Sequence, residues 1–297
     1  MRVFITGASG FIGSAITAEL SGSGHSVIGL THSEQGSALL KAAGVEVYRG
    51  NINDPQSLRS GIEKSDAIIH CAYMHGFDRI EEASKQEIAA INNLGNFLVG
   101  SDRPFLITSV AAMGIAVPGQ PAIEEHFDPN QRNPRYATET TAALVAGKGV
   151  KVSIVRLPQV HNTKKFGIIS SLIRIARDKG CSAYIDNGTN RWAAAHVLDV
   201  AQVYKLVLEK NEPGTYHAVA EEGIALKQIA ETIAKGLNIP TVSLSADEAK
   251  SHFGTLAMFA GFDMSASGRQ TRERLNWFPK GPGLIEDLEQ GKYISEL

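Results

Sequence analysis

Gly7, Gly10 and Gly13 recur at every third position in the run Thr6-Gly7-Ala8-Ser9-Gly10-Phe11-Ile12-Gly13. Glycines at that spacing let main-chain N–H groups approach a pyrophosphate, provided that a strand precedes the loop and a helix follows it. Both conditions are met: Val3, Phe4 and Ile5 form an apolar run of strand length, and Phe11, Ile12, Ala15, Ile16 and Leu20 recur at helical spacing. The loop therefore reads as a dinucleotide cradle rather than as a tight turn alone. Ser109 ends a short apolar strand, the place where ligands meet a parallel sheet. His161 follows a later strand and is expected to face the cofactor's reactive end, with an imidazole suited to proton transfer near neutral pH. Arg191, beside Trp192, can clamp an anionic or carbonyl-bearing ligand through two hydrogen bonds, or pair with Asp186 or Asp199. His196 and Asp199 open a predicted helix, with Asp199 its expected N-cap.

The elements that must position these residues alternate through the first half of the chain. Strands are predicted at 25–30, 45–48, 67–71, 105–108 and 152–155, and helices at 33–43, 55–63, 80–99 and 136–146. Asp54 is the expected N-cap ahead of Pro55. Short apolar strands separated by helices imply an α/β fold with a doubly wound parallel sheet covered on both faces. After Arg156 the pattern loosens: a helix at 166–179, a short strand at 182–185, a helix at 198–208, a strand at 214–219, then small helices. Residues 1–160 with 196–220 are expected to form the dinucleotide-binding unit. Residues 161–195 with 221–297 are expected to form a smaller, discontinuous C-terminal substrate-binding cap.

A chain of 297 residues with net charge −2 gives no reason to expect nucleic acid or an anionic membrane as partner. Its apolar runs are strand-sized and it enters its first core strand at once, so neither a membrane span nor a signal peptide is expected, and a cytoplasmic location is. The two cysteines, Cys71 and Cys181, read as free thiols. The histidines lack metal-ligand spacing. Met74, His75, Phe77 and Met113 can line an apolar pocket or simply pack a core. The second strand ends in Gly29-Leu30-Thr31-His32-Ser33-Glu34, with no acid at its tip and three potential phosphate donors in Thr31, His32 and Ser33. That favours NADP, with NAD still possible, although no Arg or Lys stands in the segment. Asn51 is placed to meet an adenine edge or to shape a turn.

Together these motifs resemble the extended short-chain dehydrogenase/reductases, the NAD-dependent epimerase/dehydratase superfamily, over nearly the whole length. Thr6 through Gly13 fit that family's TGxxGxxG, and Gly50-Asn51-Ile52-Asn53-Asp54 resembles its segment after the third strand. Ile69-His70-Cys71-Ala72, Phe105 through Gly114, Arg156 through His161, Gly188 through Ala201 and Leu275 through Pro279 resemble further family segments. The resemblance implies a Rossmann fold with cofactor contacts from Gly7, Ser9, Gly10, Phe11, Ile12, Gly13, Thr31, His32, Ser33, Asn51, Ile52, Cys71, Ala72, Thr108, Tyr136, Thr140, Leu157, Pro158 and Val160. It implies substrate contacts from Ser109, His161, Arg191 and His196. The family's active site is Ser, Tyr and Lys, the last two in a YxxxK helix. Ser109 and Tyr136 match the first two as catalytic residues, but Thr140 stands where the lysine is expected. This is similar to an atypical subgroup in which basic residues substitute; Arg135, His161, Arg191 and His196 are the candidates.

A phenol outside any special field is protonated at neutral pH and so is ready to donate. The expectation is an NADPH-dependent reductase of a small carbonyl compound. The alternatives are a catalytically weak NADP(H)-responsive binding protein and a nucleotide-sugar epimerase or dehydratase. A homodimer is possible, because the helices at 80–99 and 136–146 resemble those that pair subunits in the superfamily.

Overall fold

A computed structural model describes residues 1–73, 79–130, 133 and 135–291. Met74, His75 and Phe77 of the expected pocket lie outside the described residues. The main sheet takes β1 (Arg2–Thr6), β2 (Ser26–Thr31), β3 (Glu46–Arg49), β4 (Ala67–His70), β5 (Pro104–Val110), β6 (Lys151–Leu157) and β10 (Gly214–His217). They lie in the order β10-β6-β5-β4-β1-β2-β3, every neighbouring pair parallel. The order reverses between β1 and β4. In such sheets the crevice beyond the carboxyl ends at that reversal is the ligand position.

Side chains alternate across each strand and so supply two apolar layers. Val3, Ile5 and Leu106 pack with Ile16 and Leu20 of α1 (Phe11–Gly22). Phe4, Ile68 and Phe105 pack on the opposite face with Leu58 and Ile62. The helices α2 (Glu34–Ala42), α3 (Pro55–Glu63), α4 (Ile80–Asn96) and α5 (Tyr136–Ala146) return the chain between parallel strands. Asp54 caps α3, its carboxylate accepting from the Gln56 N–H.

Beyond β6 the structure is richer in strands than its sequence suggests. Pro158 separates β6 from β7 (Gln159–His161), which joins β9 (Arg191–His196) and β11 (Glu221–Ala225) in a second sheet. Between them run α6 (Ile169–Lys179), β8 (Ser182–Ile185) and α7 (Val197–Lys210). The segment after residue 219, expected as small helices, contains β11, the 12-residue α8 (Leu226–Leu237) and β12 (Thr241–Leu244), which pairs with β8. It then continues through α9 (Ala246–Phe253), α10 (Ala257–Gly261), α11 (Arg269–Leu275) and α12 (Leu284–Gln290). Trp192, Ile224, Ile173, Ile229 and Leu284 form a separate apolar cluster there. Among the described residues no helix is long and apolar enough to cross a membrane.

Candidate active site at the carboxyl edge of the sheet

The glycine loop joins β1 to α1 at the reversal of strand order. Gly7 adopts φ +71°, and a Cβ there would lie 2.8 Å from the Ala72 nitrogen, so the loop touches the tip of β4. At Gly13 a Cβ would lie 2.0 Å from the Gly7 carbonyl oxygen, so α1 packs directly on the loop. No side chain caps α1 at Gly10, which leaves its first-turn N–H groups to an anion. Ser9 is half-buried and Gly10 exposed beside them, and this arrangement fits a pyrophosphate. Gly13→Ala should therefore weaken dinucleotide binding more than about tenfold and cost about 1–3 kcal/mol of stability by overpacking. Gly22→Ala, whose Cβ meets nothing within 4 Å, should leave binding unchanged and should not lower stability. Calorimetric titration and denaturant unfolding of the two variants would separate these outcomes.

At the far end of the loop, Thr31 is buried, while His32 and Ser33 are exposed. The Ser33 hydroxyl caps α2 by accepting from the Gly36 N–H. The sequence offers no cation within the β2 tip, but parallel pairing sets Arg49 of β3 opposite Thr31. Asn51 serves as a turn asparagine, its side-chain oxygen accepting from the Asn53 N–H at 3.0 Å. Ile52 is half-buried beside Tyr48 in the apolar layer.

The opposite end lies at the tips of β4 and β5. Thr108 donates to the His70 carbonyl at 2.8 Å and lies 2.7 Å from the Tyr204 hydroxyl. Burial pushes the adjoining Cys71 thiol up to about 11, so it stays neutral. Cys71 and Cys181 are both free. Arg135, which immediately precedes α5, donates from Nη2 to the Thr108 carbonyl at 2.6 Å, lies 4.0 Å over the Tyr73 ring and pairs with Glu87 at 3.4 Å. Burial alone would raise the Glu87 carboxyl; His70 and Arg135 outweigh it and hold Glu87 below the usual carboxylate range. Of the four basic candidates, Arg135 is thus the one that reaches the β5 tip. Tyr136 begins α5 and is 40 % exposed. Thr140, one turn later, keeps a buried hydroxyl with no partner among the described residues. Leu157 and Val160 are buried around half-buried Pro158.

Several candidates sit elsewhere than expected. Ser109 is fully buried and donates to Glu139 at 2.6 Å instead of lining an open crevice, because it faces α5 while Thr108 faces α7. Glu139 in turn accepts from Arg156 at 2.8 and 2.9 Å. His161 is fully buried, and its Nδ1–H donates at 2.6 Å to Asp287 of α12, so its ring joins β7 to the C-terminal helix. Burial keeps that imidazole below its usual pKa despite Asp287. Arg191 pairs with Asp263 at 3.1 Å and donates to the Gly119 carbonyl, rather than engaging Asp186 or Asp199. His196, not Asp199, caps α7, accepting from the Leu198 N–H. Asp199 accepts instead from the Lys280 and Gly281 N–H groups. Met113 is fully buried. No metal-holding group of acidic, His or Cys residues occurs among the described residues.

Burial and the neighbouring Arg156 push the His217 imidazole down to about 3. Its Nδ1–H donates to the Ser267 carbonyl, which leaves Nε2 to accept from Arg156. In the unfolded chain this group takes a proton near its ordinary 6.5. Its contribution to stability is therefore complete above that pH and is lost as pH falls toward 3, by up to about 1.4 kcal/mol per unit. Urea unfolding at a series of pH values should show His217→Gln with a shallower acid slope than the wild type; an unchanged slope would contradict the assignment.

With this geometry in place, the relatives are informative. Residues 3–219 match the NAD dependent epimerase/dehydratase family. An uncharacterised protein of Schizosaccharomyces pombe is 42% identical over 296 residues, covering 99% of this chain and 100% of its own. Another from Saccharomyces cerevisiae is 40% identical over 293 residues, with 97% and 98% covered. The crystal structure of a dTDP-glucose 4,6-dehydratase from Streptomyces venezuelae with NAD bound superposes with a TM-score of 0.77 at 19% identity, covering 98% of this chain and 96% of that one. The chain belongs to the NAD dependent epimerase/dehydratase family.

Proposed function

We propose that the protein is an NADPH-dependent reductase of a small carbonyl compound. The observation that supports this best is Tyr136, an accessible phenol at the start of α5, next in sequence to Arg135, which bonds to the Thr108 carbonyl of β5, and without a lysine one turn away. A reduced nicotinamide, when bound, supplies hydride to an electrophilic carbon. The residues that would hold the dinucleotide are the Gly7–Gly13 loop, the β2 tip and the β4–β5 edge. Tyr136 is then the proton donor to the carbonyl oxygen, a task for which the protonated phenol is the correct species. Abstracting a proton from an alcohol or a sugar would need the phenolate, and Thr140 brings no charge to favour it.

Arg135 is a positioning residue in this scheme. Its hydrogen bond to the Thr108 carbonyl ties the start of α5 to the strand tip and so fixes where Tyr136 stands. Ser109 acts one step further away, by holding Glu139 within the helix beneath. The test is to incubate the protein with NADPH and a panel of aldehydes, ketones and quinones and to follow loss of reduced nicotinamide absorbance. Turnover of at least one carbonyl class is expected. No oxidation across the panel, in protein that binds NADPH, would overturn the reductase reading.

A further inference from the structure

We infer that Arg49 is the 2′-phosphate receptor that makes this chain prefer NADP over NAD, an inference that rests on the nicotinamide-cofactor reading above. The β2 tip itself carries no cation, yet Arg49 at the tip of β3 reaches across the parallel pair to the start of α2. Its Nη1 donates to the Ser37 hydroxyl at 2.9 Å, and its Nη2 lies 2.9 Å from Glu34. The side chain remains 49% exposed, so an edge of the guanidinium faces solvent. The Ser37 hydroxyl donates to the Ser33 carbonyl, which leaves its oxygen to accept from Arg49.

The same place is lined by hydroxyls. A Cβ built on Gly36 would lie 2.2 Å from Thr31 Oγ1, 3.0 Å from Ser33 Oγ and 3.2 Å from Ser9 Oγ. Ser9 belongs to the glycine loop, so this cluster is continuous with the pyrophosphate cradle. An adenosine ribose attached to that pyrophosphate places its 2′ substituent here, beyond the end of β2. A phosphate monoester needs a planar cation for two of its oxygens and hydroxyl donors for the rest. Arg49 and Ser33 supply these groups, while the buried Thr31 hydroxyl donates to the Ser33 carbonyl beneath them.

Glu34 is the competing group. A carboxylate in this region favours the 2′-hydroxyl of NAD and repels a phosphate. Glu34 is 91% exposed, and its only charge partner among the described residues is Arg49. An ion pair so open to water is weakly held, so an incoming dianion displaces the carboxylate from Arg49. Removal of the two members of the pair therefore has opposite consequences.

Calorimetric titrations of NADP⁺ and NAD⁺ with the wild type, Arg49→Gln and Glu34→Gln test this without any substrate. The wild type should bind NADP⁺ more tightly than NAD⁺ by about tenfold or more, a preference that shrinks as salt is raised. Arg49→Gln should lose about tenfold in NADP⁺ affinity and leave NAD⁺ within about twofold. Glu34→Gln should hold or strengthen NADP⁺ binding and leave NAD⁺ unchanged. Tighter binding of NAD⁺ by the wild type, with affinity lost in Glu34→Gln, would overturn the inference and assign Glu34 to the ribose hydroxyls. NADP⁺ binding indifferent to Arg49→Gln would overturn it as well. Failure of both dinucleotides to bind would instead remove the cofactor reading on which it rests.

Discussion

Glu139→Gln lowers the unfolding free energy by about 3–5 kcal/mol in the expected result, because it strands a buried guanidinium. Arg156 and Glu139 are 1% and 2% exposed, and their two short hydrogen bonds form the centre of a network. Arg156 also donates to the carbonyls of Ile123 and His126 and faces His217. The Ser109 hydroxyl donates a hydrogen bond to the same carboxylate. The amide of glutamine preserves shape but removes the charge that balances Arg156 in a medium where water cannot replace it. The pair contributes less than its rupture costs, since both ions were desolvated to form it. A double variant, Glu139→Leu with Arg156→Met, should recover only part of the loss, because it strands the Ile123 and His126 carbonyls, His217 Nε2 and the Ser109 hydroxyl. Denaturant unfolding of the three proteins decides the matter. A Glu139→Gln protein within about 1 kcal/mol of wild type would show that water reaches this site.

Tyr136→Phe should abolish turnover of any carbonyl substrate, lowering kcat by about 10²–10⁴-fold, the range for loss of a positioned general acid. Binding of the dinucleotide should change little, since the cradle and the β2 tip are untouched. Stability should also hold, because the side chain is 40 % exposed. This combination separates a donor from a packing residue: a structural tyrosine would lower the melting temperature and spare kcat. Undiminished turnover in Tyr136→Phe would move the proton source to another group.

The order and type of the first elements were legible because two independent periodicities meet there. Val3, Phe4 and Ile5 form a buried run, and the helix that begins at Phe11 repeats its apolar positions every turn. Asp54 before Pro55 marked the start of α3 to the residue. The second sheet was not legible for the opposite reason. Arg191-Trp192-Ala193-Ala194-Ala195-His196 has three alanines, which favour helices, and becomes a strand only because β7 and β11 flank it.

The site was legible where main-chain geometry makes it and obscure where side chains from distant segments meet. The glycine spacing predicted the loop. The Ser109–Glu139–Arg156 network needs contacts across 30 and 17 residues, and His161–Asp287 one across 126. One signal was present: Arg156 stands in an otherwise largely apolar strand, where a charge needs a partner. Arg49 carried a signal too, since consecutive strands in this winding are neighbours, and their tips therefore meet.

Calorimetric titration of the purified protein with NADPH, beside Gly13→Ala, tests the central claim most directly. Saturable binding of one dinucleotide per chain, weakened more than about tenfold in the variant, is the predicted result. No heat and no thermal shift at millimolar NADPH or NADH would contradict it.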